Sequence, residues 1–588
     1  MTRPGTPEPL YTLGINAAFH DSAACLVRDG AVLAAAEEER FTHVKHAKRP
    51  VPFSTWELPF NAIDYCLAQA GIALADVHHV AYSYDPWIEL GHDAAEPALT
   101  LPLSPSAHAR PEGAKAASPW HPLFLSSIVN APRQLAGGAP HHLQRRLRGV
   151  APDGPYRWHF VEHHLAHEAS AFLAAPFERC AVMTMDGRGE RATTSYGAFD
   201  GRRYRRVGQV DLPHSLGLLY ERVTRYLGFL HSSDEYKVMA LASYGKPVFA
   251  DAMRSLVRYG GDGQYALVDG DLVALFGPPR ERGAPITPHH CDVAHALQRV
   301  LEETVLQAAD WLAGVTGERQ LAMAGGVALN CVMNAKLRDQ GRFDDVWVQP
   351  AAGDAGTALG AALWTDFRMR GERGDWRMDH AYLGPAFDDR VIEAFLQEAQ
   401  VPYRRMPDVA AQTAALLAAN QVVGWFQGRM EFGPRALGAR SILASPIDAR
   451  MQQRLNRIKD REDFRPVAPV VLEEKARGWF AGGKQARLRA PFMLFVYDIV
   501  PGRESEIPAV RHVDGTARVQ TVDAAQHPLL YALLTEFEAL TGVPVLVNTS
   551  FNTRGEPIVC TPRDAVECFW TSPLDALVIG SFLLEKRR

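Results

Sequence analysis

The segment HHLAHEASAF (163–172) sets His163 and His167 four residues apart. That spacing puts both imidazoles on one face of a helix, as a metal site needs. A pair of this kind alone is more often a surface or core pair than a ligand pair, so oxygen donors must join it. Two aspartates are candidates. Asp186 ends an apolar run, CAVMTMD, that reads as a buried strand, and Asp354 sits in the glycine-rich turn AAGDAG. A carboxylate at the C-terminal end of a strand, aimed into a cleft, is where α/β sites place their polar groups. Two histidines with one or two aspartates suit Fe(II), Mn(II) or Zn(II), with positions left open for a substrate.

A second set of residues suits phosphate. Gly325 and Gly326 follow a strand and precede a helix in MAGGVALN, which also carries Asn330, and a similar turn recurs at 353–356. Their amides and the helix N-termini could hold phosphate or adenosine, although a tight strand–helix turn needs glycine on its own account. Between 425 and 466 nine Arg or Lys face five Asp or Glu, in an otherwise acidic chain. These bases stand among Gly and Pro in loops, where guanidinium groups suit a planar polyanion such as a triphosphate. Asn548, Thr549, Ser550 and Asn552 offer hydrogen bonds just after an apolar strand; their plainer reading is a capping turn. The segment 231–245 shows neither helical nor strand periodicity.

These residues need a scaffold, and the apolar pattern supplies one. From Tyr11 the chain reads strand, polar turn, strand, Asp29-Gly30, strand; from Arg179 the same set recurs, with Asp200-Gly201 as its hairpin. Two copies imply a duplicated α/β architecture whose polar turns, 19–22 and 186–189, face each other across a cleft. A helix is expected over 293–313 behind Asp292 as N-cap, and a long surface loop or lid, with disorder as the alternative, near 86–122. Short strands (VVGWF, APVVL, FMLFVYDIV, VPVLVN, ALVIGSFLL) fill the C-terminal part. A charged stretch at 370–379 places a domain boundary near 377–384, dividing 1–380 from 381–588.

With 588 residues the chain is too long for one core, and 47% hydrophobic with 22% charged residues excludes a mostly disordered or low-complexity protein. A net charge of -5 argues against nucleic acid as partner. No apolar run is long enough for a membrane span. Seven scattered cysteines without a C-x-x-C pair fit a reduced compartment, and the first ten residues lack a signal-peptide h-region, so the expectation is a cytoplasmic protein.

The motifs LGINAAFHDSAACLV, AAAEEERFT, HHLAHEASAF, PHSLGLLYERVTRYLGF, DEYKVMALASYG, MAGGVALNCVMN, PAAGDAGTALGAAL, GRMEFGPRALGARSIL, FRPVAPVVL, HVDGTARVQTV and NTSFNTRGEPIVCTP occur here in one order. In them the chain resembles O-carbamoyltransferases of the nodulation-protein-U and cephem carbamoyltransferase type. The resemblance implies an α/β fold: an N-terminal actin/Hsp70-like duplicated α/β domain and a C-terminal YrdC-like α/β domain. It implies that the YrdC-like domain makes carbamoyladenylate from carbamoyl phosphate and ATP. The N-terminal domain would then move the carbamoyl group to a hydroxyl of a small metabolite, such as an antibiotic or other natural product, leaving AMP.

Residue by residue, His163, His167 and Asp354 match iron-binding positions and Asp186 the adjacent cleft aspartate, so the implied metal is one Fe(II). His20 and Asp21 match the polar turn beside the acceptor and are candidates for activating its hydroxyl. Arg429, Lys459, Arg461, Arg465, Arg518 and Ser550 match the polar surface of the YrdC-like half, where they would neutralise phosphate charge; Lys459 and Arg518 are the catalytic candidates among them. A homodimer is compatible with the family. Two rivals stand beside this reading. An actin-like metabolite kinase explains the glycines and Asp186 but not the histidine pair, and a tRNA threonylcarbamoylation-type protein predicts a basic surface that the net charge lacks.

Overall fold

Apolar runs separated by polar turns pair at the start of the chain. β1 (Tyr11–Asn16), β2 (Ala23–Arg28) and β3 (Ala31–Glu37) form an antiparallel meander. Its second turn is Asp29-Gly30, with φ of 50° and 81°, the left-handed pair that a two-residue hairpin of matching twist requires. β4 (His79–Tyr82) and β5 (Arg157–Phe160) add parallel on the other side of β1, giving the order β3-β2-β1-β4-β5.

This is a computed structural model, and it describes residues 8–47, 58–91, 120, 122–137, 154–553 and 555–586. Most of the Pro- and Ala-rich segment expected as a loop or lid, 92–119 and 121, lies outside the described residues. The chain divides into two compact units: Met1–Leu173 with Asp354–Trp376, and Ala174–Gly353 with Arg377–Arg588. The crossing after Trp376 falls near the boundary read from the sequence; those after Leu173 and Gly353 also divide the first 380 residues.

In the first unit the helix Ala355–Arg370 lies on β1 and β2 and against the helix His163–Phe172. Both approaches depend on glycine. A Cβ at Gly14 would meet the carbonyl oxygen of Ala358, and one at Gly360 would meet that of Ala166. The contact at Gly360 sets the spacing of the two helices that carry His163, His167 and Asp354. Gly360→Val is expected to destabilise the protein by about 1–3 kcal/mol or more, because backbone cannot yield as a side chain can. The check is the thermal unfolding midpoint, and an unchanged midpoint would contradict this packing.

The second unit repeats the first sheet's plan. β6 (Cys180–Met185), β7 (Ala192–Phe199) and β8 (Tyr204–Asp211) are antiparallel neighbours. A small hairpin, β9 (Val257–Tyr259) and β10 (Tyr265–Leu267), stands apart. β11 (Gln320–Ala324) and β12 (Asp345–Val348) then run parallel to β6, giving β12-β11-β6-β7-β8. Order and direction match those of the first sheet strand for strand, so the α/β architecture is duplicated. The turn between β7 and β8 covers 200–203, where Asp200 Oδ1 accepts the N–H groups of Arg202 and Arg203 at 2.8 and 2.7 Å.

The C-terminal part of this unit holds an eight-stranded mixed sheet and a separate three-stranded one. At the centre of the larger sheet Val423–Phe426 pairs antiparallel with Arg440–Ala444 and parallel with Ala576–Ile579. Trp425, Phe426, Leu443 and Val547 are buried in its core.

Three local expectations are corrected. The long helix runs Pro288–Thr316, because Pro288 suits the first helical position and His290 Nδ1 accepts the Thr287 N–H at 3.0 Å. Asp292 is not the cap; its carboxylate accepts the Lys246 N–H instead. The segment 231–245 contains a helix, Glu235–Ala242. ALVIGSFLL is an antiparallel hairpin, Ala576–Ile579 with Phe582–Glu585, turned at Gly580 with φ of 52°.

Candidate functional site

His163 and His167 project from successive turns of a helix that is buried on nearly every side, and both rings are fully buried. Asp354 immediately precedes the helix Ala355–Arg370 and is 6% exposed. Its Oδ1 lies 3.6 Å from Nε2 of each histidine. That is beyond hydrogen-bond length, yet close to the roughly 3.4 Å that separates donors bound tetrahedrally to one ion at about 2.0–2.1 Å. The His163 ring packs its Nδ1 3.2 Å from the Ser83 carbonyl oxygen. Donation there puts the proton on Nδ1 and leaves the Nε2 lone pair for a metal, a usual supporting bond of ligand histidines. Neither ring nitrogen of His167 has a hydrogen-bond partner among the described residues, a costly state for a buried imidazole. Two imidazoles and one carboxylate are also the donor set of non-haem Fe(II) sites. The residues present therefore fit a divalent transition ion.

This centre is tied to the turn after β1. The Thr357 hydroxyl lies 2.6 Å from the Asp354 carbonyl and 2.8 Å from Ser83 Oγ. Ser83 Oγ donates to Asn16 Oδ1 at 3.1 Å, and Asn16 Nδ2 donates to the carbonyls of His20 and Asp21 at 2.7 and 3.1 Å. In that turn Asp21 meets His20 at 2.9 Å and His46 at 2.6 Å. Burial pushes the Asp21 carboxyl up, but the two imidazoles overcome this and hold it well below the usual carboxylate range. His46 was missed by the sequence reading, since nothing in KHAKR marks it as a partner of a residue 25 positions away.

Asp186 lies in the second unit, directly after β6, where its Oδ1 accepts the Gly326 N–H at 2.7 Å. Gly325 takes φ of 90° at a point where a Cβ would meet the Met185 backbone. Both glycines thus serve the turn itself, and the Gly326 amide is directed at Asp186. Asn330, expected among the cofactor-binding residues, caps the helix Cys331–Gln340. Its Oδ1 accepts from Met333 N at 3.0 Å and Gln298 Nε2 at 3.1 Å, and its Nδ2 donates to Gln298 Oε1 at 2.8 Å.

The basic loops of the second unit separate into two kinds. Arg435, Arg461, Arg465 and Arg518 line a cavity of about 260 Å³ together with Tyr236 and His512, and no carboxylate lines it. Burial first, and then the neighbouring guanidiniums, push Arg435 and Arg461 below the ordinary arginine range. With Arg511 the lining holds five guanidiniums, which repel one another, and an anion of matching charge removes that penalty. Arg465 stacks 4.6 Å over the Tyr236 ring. Arg435 belongs to the motif quoted from the sequence but was not singled out there. Its loop is shaped by buried Glu431, whose Oε1 accepts from Leu437 and Ala439 N–H at 2.6 and 2.7 Å.

Other arginines of the stretch hold the backbone instead. Arg440 is fully buried, lies 3.6 Å over the Phe426 ring and donates to the Gln427 and Pro385 carbonyls at 3.0 Å. Arg429 donates to the Leu383 carbonyl at 2.6 Å and is not in the cavity wall.

Lys459, Ser550 and Asn552 meet at one point. The lysine Nζ donates to Ser550 Oγ at 3.0 Å and Asn552 Oδ1 at 2.6 Å, and Ser550 Oγ donates to Asn552 Oδ1 at 2.8 Å. Burial, and after it Arg461 and Arg465, push Lys459 well below the ordinary lysine range. An anion bound beside it would raise that value again.

No disulfide joins any of the seven buried cysteines. Among the described residues no helix is long and apolar enough to cross a membrane.

Comparison with known proteins gives these residues a family. Residues 11–94 and 156–363 match the family model described as the carbamoyltransferase N-terminus, and 414–586 match that of the carbamoyltransferase C-terminus. An uncharacterised protein of Synechocystis sp. is 40% identical, covering 98% of this chain and 97% of its own. Nodulation protein NolNO of Sinorhizobium fredii is 39% identical over 97% of this chain and 80% of its own. Among solved structures, T. kodakarensis HypF overlaps 63% of this chain and 50% of its own at 14% identity, with a TM-score of 0.33 too low to carry an argument. Two matching family models spanning most of the sequence, and full-length relatives near 40% identity, show that this chain is a member of the carbamoyltransferase family.

Proposed function

We propose that this carbamoyltransferase is an ATP-dependent O-carbamoyltransferase that divides its reaction between two sets of residues. The observation that carries this reading is the pair of unlike sites: a buried His163–His167–Asp354 donor set in the first unit and an arginine-lined, carboxylate-free cavity in the second. In the YrdC-like C-terminal part Arg435, Arg461, Arg465 and Arg518 bind and orient the phosphates of carbamoyl phosphate and ATP. Lys459, placed by Ser550 and Asn552, neutralises the charge that develops as carbamoyladenylate forms. The product of that step is carbamoyladenylate, with phosphate and pyrophosphate released.

In the transfer step His163, His167 and Asp354 would hold one Fe(II), and Asp186 is proposed to act in the same step. When bound, such an ion supplies Lewis acidity that polarises a carbonyl or phosphate oxygen. His20 takes the proton of the acceptor hydroxyl at Nε2 while Asp21 holds its Nδ1–H. The acceptor oxygen bonds to the carbamoyl carbon, and AMP leaves with the electron pair of the broken C–O bond. The acceptor is a small hydroxylated metabolite.

The test is a mass-spectrometric screen of purified enzyme with ATP and carbamoyl phosphate against a panel of hydroxylated metabolites. The expected result is a product heavier by one carbamoyl group, dependent on both co-substrates. Phosphorylated products in its place would favour the metabolite-kinase reading and overturn this one.

A further inference from the structure

His46 lies in a short turn, Lys45–Ala47, with φ of 63°. Its backbone N–H donates to Glu39 Oε2 at 2.5 Å, and Glu39 pairs with buried Arg40 at 2.8 Å, which also pairs with Glu37 at 3.1 Å. This anchoring turns the ring toward Asp21. The two carboxylate oxygens of Asp21 are then divided between two imidazoles, Oδ2 to His20 Nδ1 and Oδ1 to His46 Nδ1, with ring centroids 4.2 Å apart. The other titratable or charged groups on these segments are Glu37, Glu38, Glu39, Arg40, His43 and Lys45. Glu38 is engaged with Asn61 at 2.6 Å, and His43 and Lys45 are exposed.

A carboxylate gripping one imidazole does two things: it fixes which nitrogen carries the proton, and it raises the basicity of the ring. A second donor on the same carboxylate keeps the first effect and weakens the second. We propose that His46 is a positioning residue for His20. By donating Nδ1–H to Asp21 it orients the carboxylate and takes a share of its charge, so that less of that charge is left to favour a protonated His20. The proposal rests on the reading of His20 as the group that accepts the hydroxyl proton.

The experiment follows the His20 ring by NMR in protein labelled at histidine Cε1, with His20→Gln to assign the signal, and records the kcat/KM pH profile in parallel. In His46→Ala the His20 titration is expected to move up by roughly one pH unit, since a hydrogen bond to a charged group is lost and part of its effect reaches His20. The acid limb of the profile should move with it. His46→Gln, which retains an amide donor, should restore most of the wild-type value.

Asp21→Asn is the second variant, and asparagine tolerates the φ of 47° at this position. There both imidazoles should titrate lower together. A His20 titration unmoved in folded His46→Ala, or a downward shift of His20 alone in Asp21→Asn, would overturn the proposal. The titration is read without substrates, so its failure is distinct from a failure to find any carbamoylated product.

Discussion

Lys459→Ala is expected to lower pyrophosphate release from ATP and carbamoyl phosphate by about 10²–10³-fold while leaving the protein folded. That is the scale for removing one preorganised donor aimed at developing charge in a site from which water is excluded. Lys459 is 6% exposed, and Ser550 and Asn552 hold its Nζ in place before any substrate arrives. Alanine removes the charge and leaves Ser550 Oγ and Asn552 Oδ1 to each other, already 2.8 Å apart, so the local backbone has a partner to keep. A helix end rather than a core layer carries the lysine, which limits the loss of stability. A pre-steady-state measurement of pyrophosphate against wild type checks this. Rates within a few-fold of wild type would remove Lys459 from the phosphate chemistry.

His167→Ala should have the complementary effect. The ring is one of three donors around a single point, and both of its nitrogens lack any other partner among the described residues. Loss of a supporting residue behind a ligand already weakens metal binding by about 10–100-fold, so loss of the ligand itself should exceed that. Bound divalent metal, measured by elemental analysis after desalting, is expected to fall below one tenth of the wild-type amount. Carbamoyl transfer should be lost with it, and adenylation kept. Full metal occupancy in the variant would remove His167 from the ligand set.

Much of this arrangement could be read from residue order. Asp29-Gly30 and Asp200-Gly201 announced two hairpins, and the runs around them announced two matching sheets, because turn chemistry and alternating apolar strands are local signals. The four-residue spacing of His163 and His167 is equally local, and a helix converts it directly into a shared face. Other features depend on distant partners. Asp21 and His46 meet because the segment after β3 folds back through Glu39, which no spacing rule reveals. The Gly326 amide goes to Asp186 and the Asn330 side chain to Gln298 and a helix end, partners that no spacing rule reveals. The loop 428–440 shows the same limit within a few residues. Arg435 enters the cavity while Arg440 is drawn under Phe426, although both stand among the same glycines. The order of the eight-stranded sheet was hidden as well, since some of its neighbours come from strands more than a hundred residues apart, such as Val423–Phe426 and Ala576–Ile579.

In the proposed mechanism two chemically distinct sets of residues carry two half-reactions, and one paired measurement tests that division most directly. ATP consumption and carbamoylated product are measured for His163→Ala and Lys459→Ala, each with and without added carbamoyladenylate. His163→Ala should still consume ATP in the presence of carbamoyl phosphate and form no product in either condition. Lys459→Ala should consume no ATP, yet form product once the intermediate is supplied. Failure of both variants in both half-reactions, with the intermediate rescuing neither, would contradict the division of labour even if wild-type transferase activity were in hand.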